Sequence, residues 1–331
     1  MQNDPAYQSI YEASEAKRML LLGATGTIGS AVLDSLLAQG HTVKALVRDS
    51  AKCVKNHPAL EVVQGDFSDQ EFLSKHAKTC DAVISCIASR TGVGEDAWAV
   101  DYGLNHALLQ VAKETKLEQF VLLSAICVQR PLLEFQKAKA AFEEELKSSG
   151  LTYTIVRPTA FFKSLSGQLD RLRAGKPFLM FGNGEITSCK PISDEDLAHF
   201  ITTCLSNPSC ANRVLPVGGP GPALTPHEQG QQLAEALGVP FQSRSVPPGF
   251  LNLIARALSF AGLVSRKARE KAELARIGHY YATQSMLVWD EVSNRYDAEL
   301  TPEFGTDTLQ VYYRKLAAGE VTLDRGDHAV F

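Results

Sequence analysis

From Met19 onward, short apolar runs alternate with longer segments whose apolar positions recur every three to four residues. That rhythm is the one expected of a parallel sheet with crossover helices. It predicts strands at 19–22, 42–47, 61–64, 82–85, 120–123 and 152–156, and helices at 28–38, 70–76, 96–114 and 135–147. The fold class that follows is α/β, a Rossmann-type doubly wound parallel sheet with a smaller, interleaved C-terminal lobe. After Arg157-Pro158 the rhythm loosens into Gly/Pro punctuation at Gly175-Lys176-Pro177, Gly182-Asn183-Gly184 and Gly218-Gly219-Pro220-Gly221-Pro222. A helix at 194–205 and a strand at 214–217 then return to the sheet. The predicted organisation is a flexible start at 1–17, an NADP-binding domain at 18–160 with returning elements at about 190–218, and a substrate lobe made of 161–190 and 219–331.

At 331 residues the chain is long enough for a full core, and its 45% hydrophobic and 21% charged content is that of a self-folding globular protein. A formal net charge of -4 gives no basic face for a phosphate backbone, which excludes nucleic acid as a partner. The seven cysteines form no CxxC pair and no Cys/His cluster, so no metal site is expected and the thiols read as reduced. The first 18 residues carry several acids and no apolar run, unlike a secretory or transit leader. These features together predict a bacterial cytoplasmic protein. The stretch from Phe250 to Val264 is too short to span a bilayer, but basic residues Arg266, Lys267, Arg269 and Lys271 follow it. Weak peripheral contact with a photosynthetic membrane is a minor reading of that arrangement.

The chemistry begins at Gly23-Ala24-Thr25-Gly26-Thr27-Ile28-Gly29, three glycines at three-residue spacing between a strand and a helix. Gly23 permits the tight turn, Gly26 lets backbone approach a pyrophosphate, and Gly29 lets helix pack on sheet. Free N–H groups at the helix start, from Thr25, Thr27 and Ile28 among others, then bind the anion. Arg48 ends the second strand where an NAD enzyme usually carries an acid, and a guanidinium there suits the 2′-phosphate of NADPH. Asp66, in Gly65-Asp66-Phe67, either accepts from an adenine amino group or caps a turn.

The glycine turn, the Gly65-Asp66 pair, Ser124 after the fifth strand and Arg157-Pro158 after the sixth resemble the atypical, extended branch of the short-chain dehydrogenase/reductase superfamily, over about residues 19–218. The resemblance implies cofactor contacts also from Phe67, Ala88 and Pro158, and a role in the reaction for Ser124. It also implies a Tyr-x-x-x-Lys pair, the Tyr donating a proton and the Lys holding the ribose. Here the segment reads Phe135-Gln136-Lys137-Ala138-Lys139, so Lys139 is present and the phenol is absent. Reducing a ketone needs an acid within reach of the developing alkoxide, and Phe135 cannot supply one. Two readings survive: a dinucleotide sensor without turnover, or reduction of a conjugated carbon–carbon double bond with a proton from elsewhere.

Residues 120–129, Pro131-Leu132-Leu133-Glu134-Phe135-Gln136-Lys137-Ala138-Lys139, Gly219-Pro220-Gly221-Pro222-Ala223-Leu224-Thr225-Pro226 and Thr301-Pro302-Glu303-Phe304-Gly305 are similar to the NADPH-dependent 8-vinyl reductases of the chlorophyll pathway. That resemblance implies reduction of the C8 vinyl group of divinyl chlorophyllide or protochlorophyllide, a magnesium tetrapyrrole, to ethyl. Phe161, Phe162, Phe178 and Phe181 are the expected lining of its pocket. The alternatives are an NmrA-like NADP(H)-binding regulatory or assembly protein and an isoflavone-reductase-like enzyme for another conjugated double bond.

Overall fold

The apolar runs become seven parallel strands: β1 (Arg18–Leu22), β2 (Thr42–Val47), β3 (Leu60–Gln64), β4 (Ala82–Ser85), β5 (Gln119–Leu123), β6 (Thr152–Pro158) and β7 (Arg213–Val217). The computed structural model describes residues 4–8, 15–53, 55–262 and 265–322. The strands lie in the spatial order β3-β2-β1-β4-β5-β6-β7, with Leu21 of β1 paired to Ala45 on one side and Ile84 on the other. Met19 to Leu22 and all of β4 are buried, as strands covered on both faces must be. Chain order reverses between β1 and β4, and the crevice beyond the carboxyl ends of such neighbours is where open α/β sheets bind ligands.

Helices α1 (Thr27–Ala38), α2 (Gln70–Ala77), α3 (Asn105–Glu114), α4 (Glu134–Lys147) and α5 (Asp194–Thr203) cover the sheet. Helix α1 packs against α5, where Thr202 bonds Ser35 at 2.8 Å and Gln39 at 2.7 Å. A second set, α2 with α3 and α3 with α4, encloses a core of Leu20, Leu22, Leu46, Leu73, Phe120 and Phe142. The segment expected as one helix over 96–114 is three: Gly94–Ala97, a π-helix at Trp98–Leu104, and α3. Its apolar spacing gives no warning of the change, because a π-turn adds one residue without making the segment less hydrophobic.

By contacts the chain forms two compact units. One comprises Met1–Ser89, Glu95–Pro158 and Asp194–Val217, the other Arg90–Gly94, Thr159–Ser193 and Gly218–Phe331. In the second, Phe178–Phe181 pairs in parallel with Ser243–Val246. Helices α6 (Pro226–Leu237) and α9 (Leu309–Ala318) pack together there, as do α7 (Gly249–Ala261) and α8 (Arg266–Thr283). Val264 lies outside the described residues, and no described helix is long and apolar enough to cross a membrane.

Within the start expected to be flexible at 1–17, residues 4–8 make contacts with the sheet unit, and residues 1–3 and 9–14 lie outside the described set. Asp4 pairs with Arg213, the Tyr7 hydroxyl donates to the Pro216 carbonyl at 2.7 Å, and the Tyr7 ring stacks on Phe200. Composition cannot reveal this, because the partners lie some 200 residues away. The Arg213 guanidinium holds the Asp4 carboxyl at about 2, below its ordinary value. A depressed carboxylate adds stability that is complete above about pH 4 and fades as pH falls through its folded value. Asp4→Asn should therefore unfold more easily by about 0.5–1 kcal/mol at pH 7, and urea titrations should show the gap closing near pH 2.

Candidate functional site

The first turn of the sheet is built by steric necessity. Gly23 has φ +87, and a Cβ there would lie 2.6 Å from the Cys86 carbonyl oxygen. A Cβ on Gly29 would lie 2.0 Å from the Gly23 carbonyl oxygen, so α1 can begin this close to β1 only without a side chain. Gly26 is the N-cap of α1, makes no side-chain capping bond, and is followed by no acid in the first turn. Thr25 and Gly26 are exposed. The backbone and dipole at this helix start suit an anion, and this glycine cradle fits a dinucleotide pyrophosphate. Ile28 and Phe67 are buried, so only their backbones are available to such a ligand. Pro158 is buried at the end of β6, whereas Ala88, beyond β4, is exposed.

Arg48 stands exposed at the end of β2, available to a 2′-phosphate. Its neighbour Asp49 is spent on capping the following turn, accepting from the Ala51 N–H at 3.1 Å. Asp66 also caps a turn, accepting from the Ser68 N–H at 2.9 Å. That bond lowers the Asp66 carboxyl below its usual value.

Four residues along α4 from half-buried Phe135, and so on the same helix face, Lys139 carries its ammonium to 2.9 Å from Asp101 Oδ1. Asp101 lies on the π-helix and its side chain is 0% exposed. Its Oδ1 also accepts from the Ser89 N–H at 3.2 Å, while Oδ2 has no hydrogen-bond partner among the described residues. Sequence reasoning missed Asp101, because an acid inside a predicted helix ordinarily reads as a solvated face. Gln136, also in this stretch, is buried and accepts from the N–H groups of Leu132 and Leu133, fixing the entry to α4.

Ser124 does not join Lys139. Its hydroxyl donates to Glu143, wholly buried on α4, which is also bound by the Arg157 guanidinium. The three residues make one buried network beneath the carboxyl ends of β5 and β6. Burial pushes the Cys86 thiol up to about 12 and that of Cys127 to about 11, each against the opposing charge of Lys139. Both are therefore protonated at neutral pH and unsuited to nucleophilic work. Of the described tyrosines in this unit, Tyr7 is held by Pro216, Tyr102 by Glu145, and Tyr153 packs against the core.

In the second unit, two runs 80 residues apart are stitched together. Gly218 donates to the Pro302 carbonyl at 2.8 Å and accepts from the Phe304 N–H at 2.9 Å. Glu303 takes the buried Lys190 ammonium at 2.5 Å and the Gly221 N–H at 3.2 Å. Gly219 is obligatory because a Cβ would lie 2.0 Å from the Pro191 carbonyl oxygen. The four aromatics expected to line a pocket differ in exposure. Phe162 and Phe178 are 2% and 5% exposed and belong to a core with Leu169, Leu233 and Tyr313, since aromatic rings near a helix pair are consumed by packing first. Phe161 and Phe181 are half-buried and keep surface to offer.

Residues 23–208 match the family described as NAD(P)H-binding. The chain is 40% identical to the chloroplastic divinyl chlorophyllide a 8-vinyl-reductase of Cucumis sativus, over 99% of this chain and 84% of that protein. It is 42% identical to the enzyme of the same name from Oryza sativa subsp. indica, over 95% and 82%. A photosystem II assembly factor, Ycf39 of Cyanophora paradoxa, is 31% identical over 61% of this chain and 63% of that one. Among solved structures, the NADPH-dependent quinone oxidoreductase QOR2 of Escherichia coli aligns with TM-score 0.65 at 18% identity, covering 90% of this chain and 99% of that one, a likeness of fold. The expectation of a bacterial cytoplasmic protein is overturned, because the reductases it resembles are named as chloroplastic. An acidic chain with free thiols suits any reducing compartment, so those features could not separate the two.

The Ser124–Glu143–Arg157 network makes a graded prediction. Arg157→Met strands a buried carboxylate and should cost about 3–5 kcal/mol of unfolding free energy, whereas Ser124→Ala removes one neutral donor and should cost about 1–2 kcal/mol. Denaturant titration of the two variants checks the ranking.

Proposed function

The chain belongs to the divinyl chlorophyllide a 8-vinyl-reductase family, and from that premise we propose that its reaction is assembled between the Gly23–Gly29 turn and Lys139. It is an NADPH-dependent oxidoreductase that reduces the 8-vinyl group of a divinyl chlorophyllide to ethyl in chlorophyll biosynthesis. NADPH supplies the hydride when bound. On this reading the Gly23, Gly26 and Gly29 backbone holds the pyrophosphate with Thr25, Thr27 and Ile28, and Arg48 takes the 2′-phosphate. Asp66, Phe67, Ala88 and Pro158 complete the cofactor's surroundings, and Lys139 holds the nicotinamide ribose.

The observation that carries the proposal is the pairing of a retained, ion-paired Lys139 with Phe135 in place of the phenol. Phe135 gives the reacting centre an apolar ring and no proton, so the substrate must tolerate hydride addition without an acid at that position. A vinyl group conjugated to a macrocycle does so, because the charge left behind spreads over the ring system. Ser124 serves indirectly, by holding Glu143. The test is incubation with NADPH and divinyl chlorophyllide, which should blue-shift the Soret band and add two hydrogens to the pigment mass. Folded protein that binds NADPH but leaves the pigment unchanged would refute the reading and favour the Ycf39-like alternative. In the same assay Arg48→Ala should raise KM for NADPH about tenfold and spare KM for NADH.

Protochlorophyllide is proposed as a second acceptor, since it carries the same conjugated vinyl group. Phe161 and Phe181 are its proposed aromatic contacts. A plastid location fits the chloroplastic relatives. Weak contact with an anionic membrane is supported by α7, which leaves Phe250, Leu253 and Phe260 exposed, Phe260 at 78%. The start of α8, which packs against α7, adds exposed Arg266, Lys267, Arg269 and Lys271. Flotation with anionic vesicles should carry the parent protein upward and leave Leu253→Ser/Phe260→Ser in the pellet fraction. Equal flotation of both would remove this surface from consideration.

A further inference from the structure

Asp101 is a buried charge that the reaction, as read so far, does not use. Its main-chain carbonyl and its Oδ1 are both held by neighbours. The Asn105 side-chain amide donates to the Asp101 main-chain carbonyl at 3.0 Å, and Asn105 Oδ1 accepts from the Ser85 hydroxyl at 2.6 Å. Ser85 ends β4, and Ser85, Asn105 and Asp101 are each at most 1% exposed. Asp101 Oδ1 then serves two donors at once, Lys139 on α4 and the Ser89 N–H in the loop beyond β4. One carboxylate thus ties the ammonium to the strand end nearest the glycine turn, where Cys86 meets Gly23.

A pair kept only for stability is poorly served by this arrangement. Burying two charges is often no better than burying apolar groups of the same volume, and here Oδ2 is buried with no hydrogen-bond partner among the described residues. The π-helical turn is a further local cost, and such turns recur where a side chain must be aimed. We propose that Asp101 is the positioning residue for Lys139. It holds the ammonium at one point on the face of α4, so that the group meets the cofactor ribose already oriented. Lys139 alone, a flexible four-carbon stem, would lose rotamer freedom on each binding event. The carboxylate removes that loss beforehand. This inference rests on the reading of Lys139 as the group that holds the cofactor.

The experiment is a double-mutant cycle on the full chain, with NADPH dissociation constants read by isothermal titration calorimetry and melting temperature recorded for each protein. Lys139→Met and Asp101→Asn should each weaken NADPH about tenfold or more. If Asp101 acts through Lys139, the double variant binds no more weakly than Lys139→Met alone. In turnover, Asp101→Asn should raise KM for NADPH while leaving KM for the pigment near the parent value. Should Asp101→Asn fail to fold around an unpaired ammonium, the double variant, which strands no charge, still gives the deciding comparison with Lys139→Met. A double variant whose affinity loss is the product of the two single losses, or well beyond that of Lys139→Met, overturns the role of Asp101. Unchanged affinity in Lys139→Met overturns the underlying reading of Lys139 instead.

Discussion

The contact between Gly29 and the carbonyl of Gly23 is the constraint from which the cofactor half of this protein follows. With room for no side chain between them, α1 starts directly against the end of β1, and its first N–H groups emerge at the carboxyl edge of the sheet. Helix α1 then lies close enough to the sheet to cover β1 and pack against α5. The N-cap between them is itself a glycine, with no side chain to offer. Packing and anion binding are therefore one requirement here, since a bulkier residue at Gly29 would both lift the helix and misdirect the donors.

The second half of the chemistry depends on charge held out of water. Lys139 is nearly enclosed, and an enclosed ammonium is tolerable only beside a counter-charge. Asp101 supplies it, and because Asp101 is fixed through Asn105 and Ser85, the position of the ammonium is inherited from β4. Glu143 shows the same logic one turn further along α4, where Arg157 and Ser124 satisfy it. Helix α4 thus carries two buried charges on different partners. Ser124 is committed to the second while Lys139 is committed to the first.

The strands and most crossover helices were legible because a parallel sheet covered on both faces writes long apolar runs, and 42–47 and 82–85 match β2 and β4 to the residue. The glycine turn was legible because its residue types are dictated by sterics. The π-helix and Asp101 were not, since a buried acid looks like any surface acid until its partner is known, and Lys139 is 38 positions away. Ser124 was legible as a position but not as a task, because its hydroxyl could face Lys139 or Glu143 equally well on paper. Phe162 and Phe178 failed for the opposite reason: aromatic content marks apolar space but cannot say whether a core or a ligand fills it.

The choice between an enzyme and an assembly factor cannot be made at the glycine turn, which both kinds of relative need if both hold a dinucleotide. What separates them lies further along. The Ycf39 likeness covers 61% of the chain, whereas the reductase likeness covers 99% of it. Beyond the NAD(P)H-binding match at 23–208 lie the Gly218–Pro222 and Thr301–Gly305 runs, which meet through Glu303, Lys190 and a reciprocal backbone pair at Gly218. The cross-tie joins stretches that lie beyond the NAD(P)H-binding match and inside the reductase likeness, so it belongs to the part of the chain where the two kinds of relative differ in coverage.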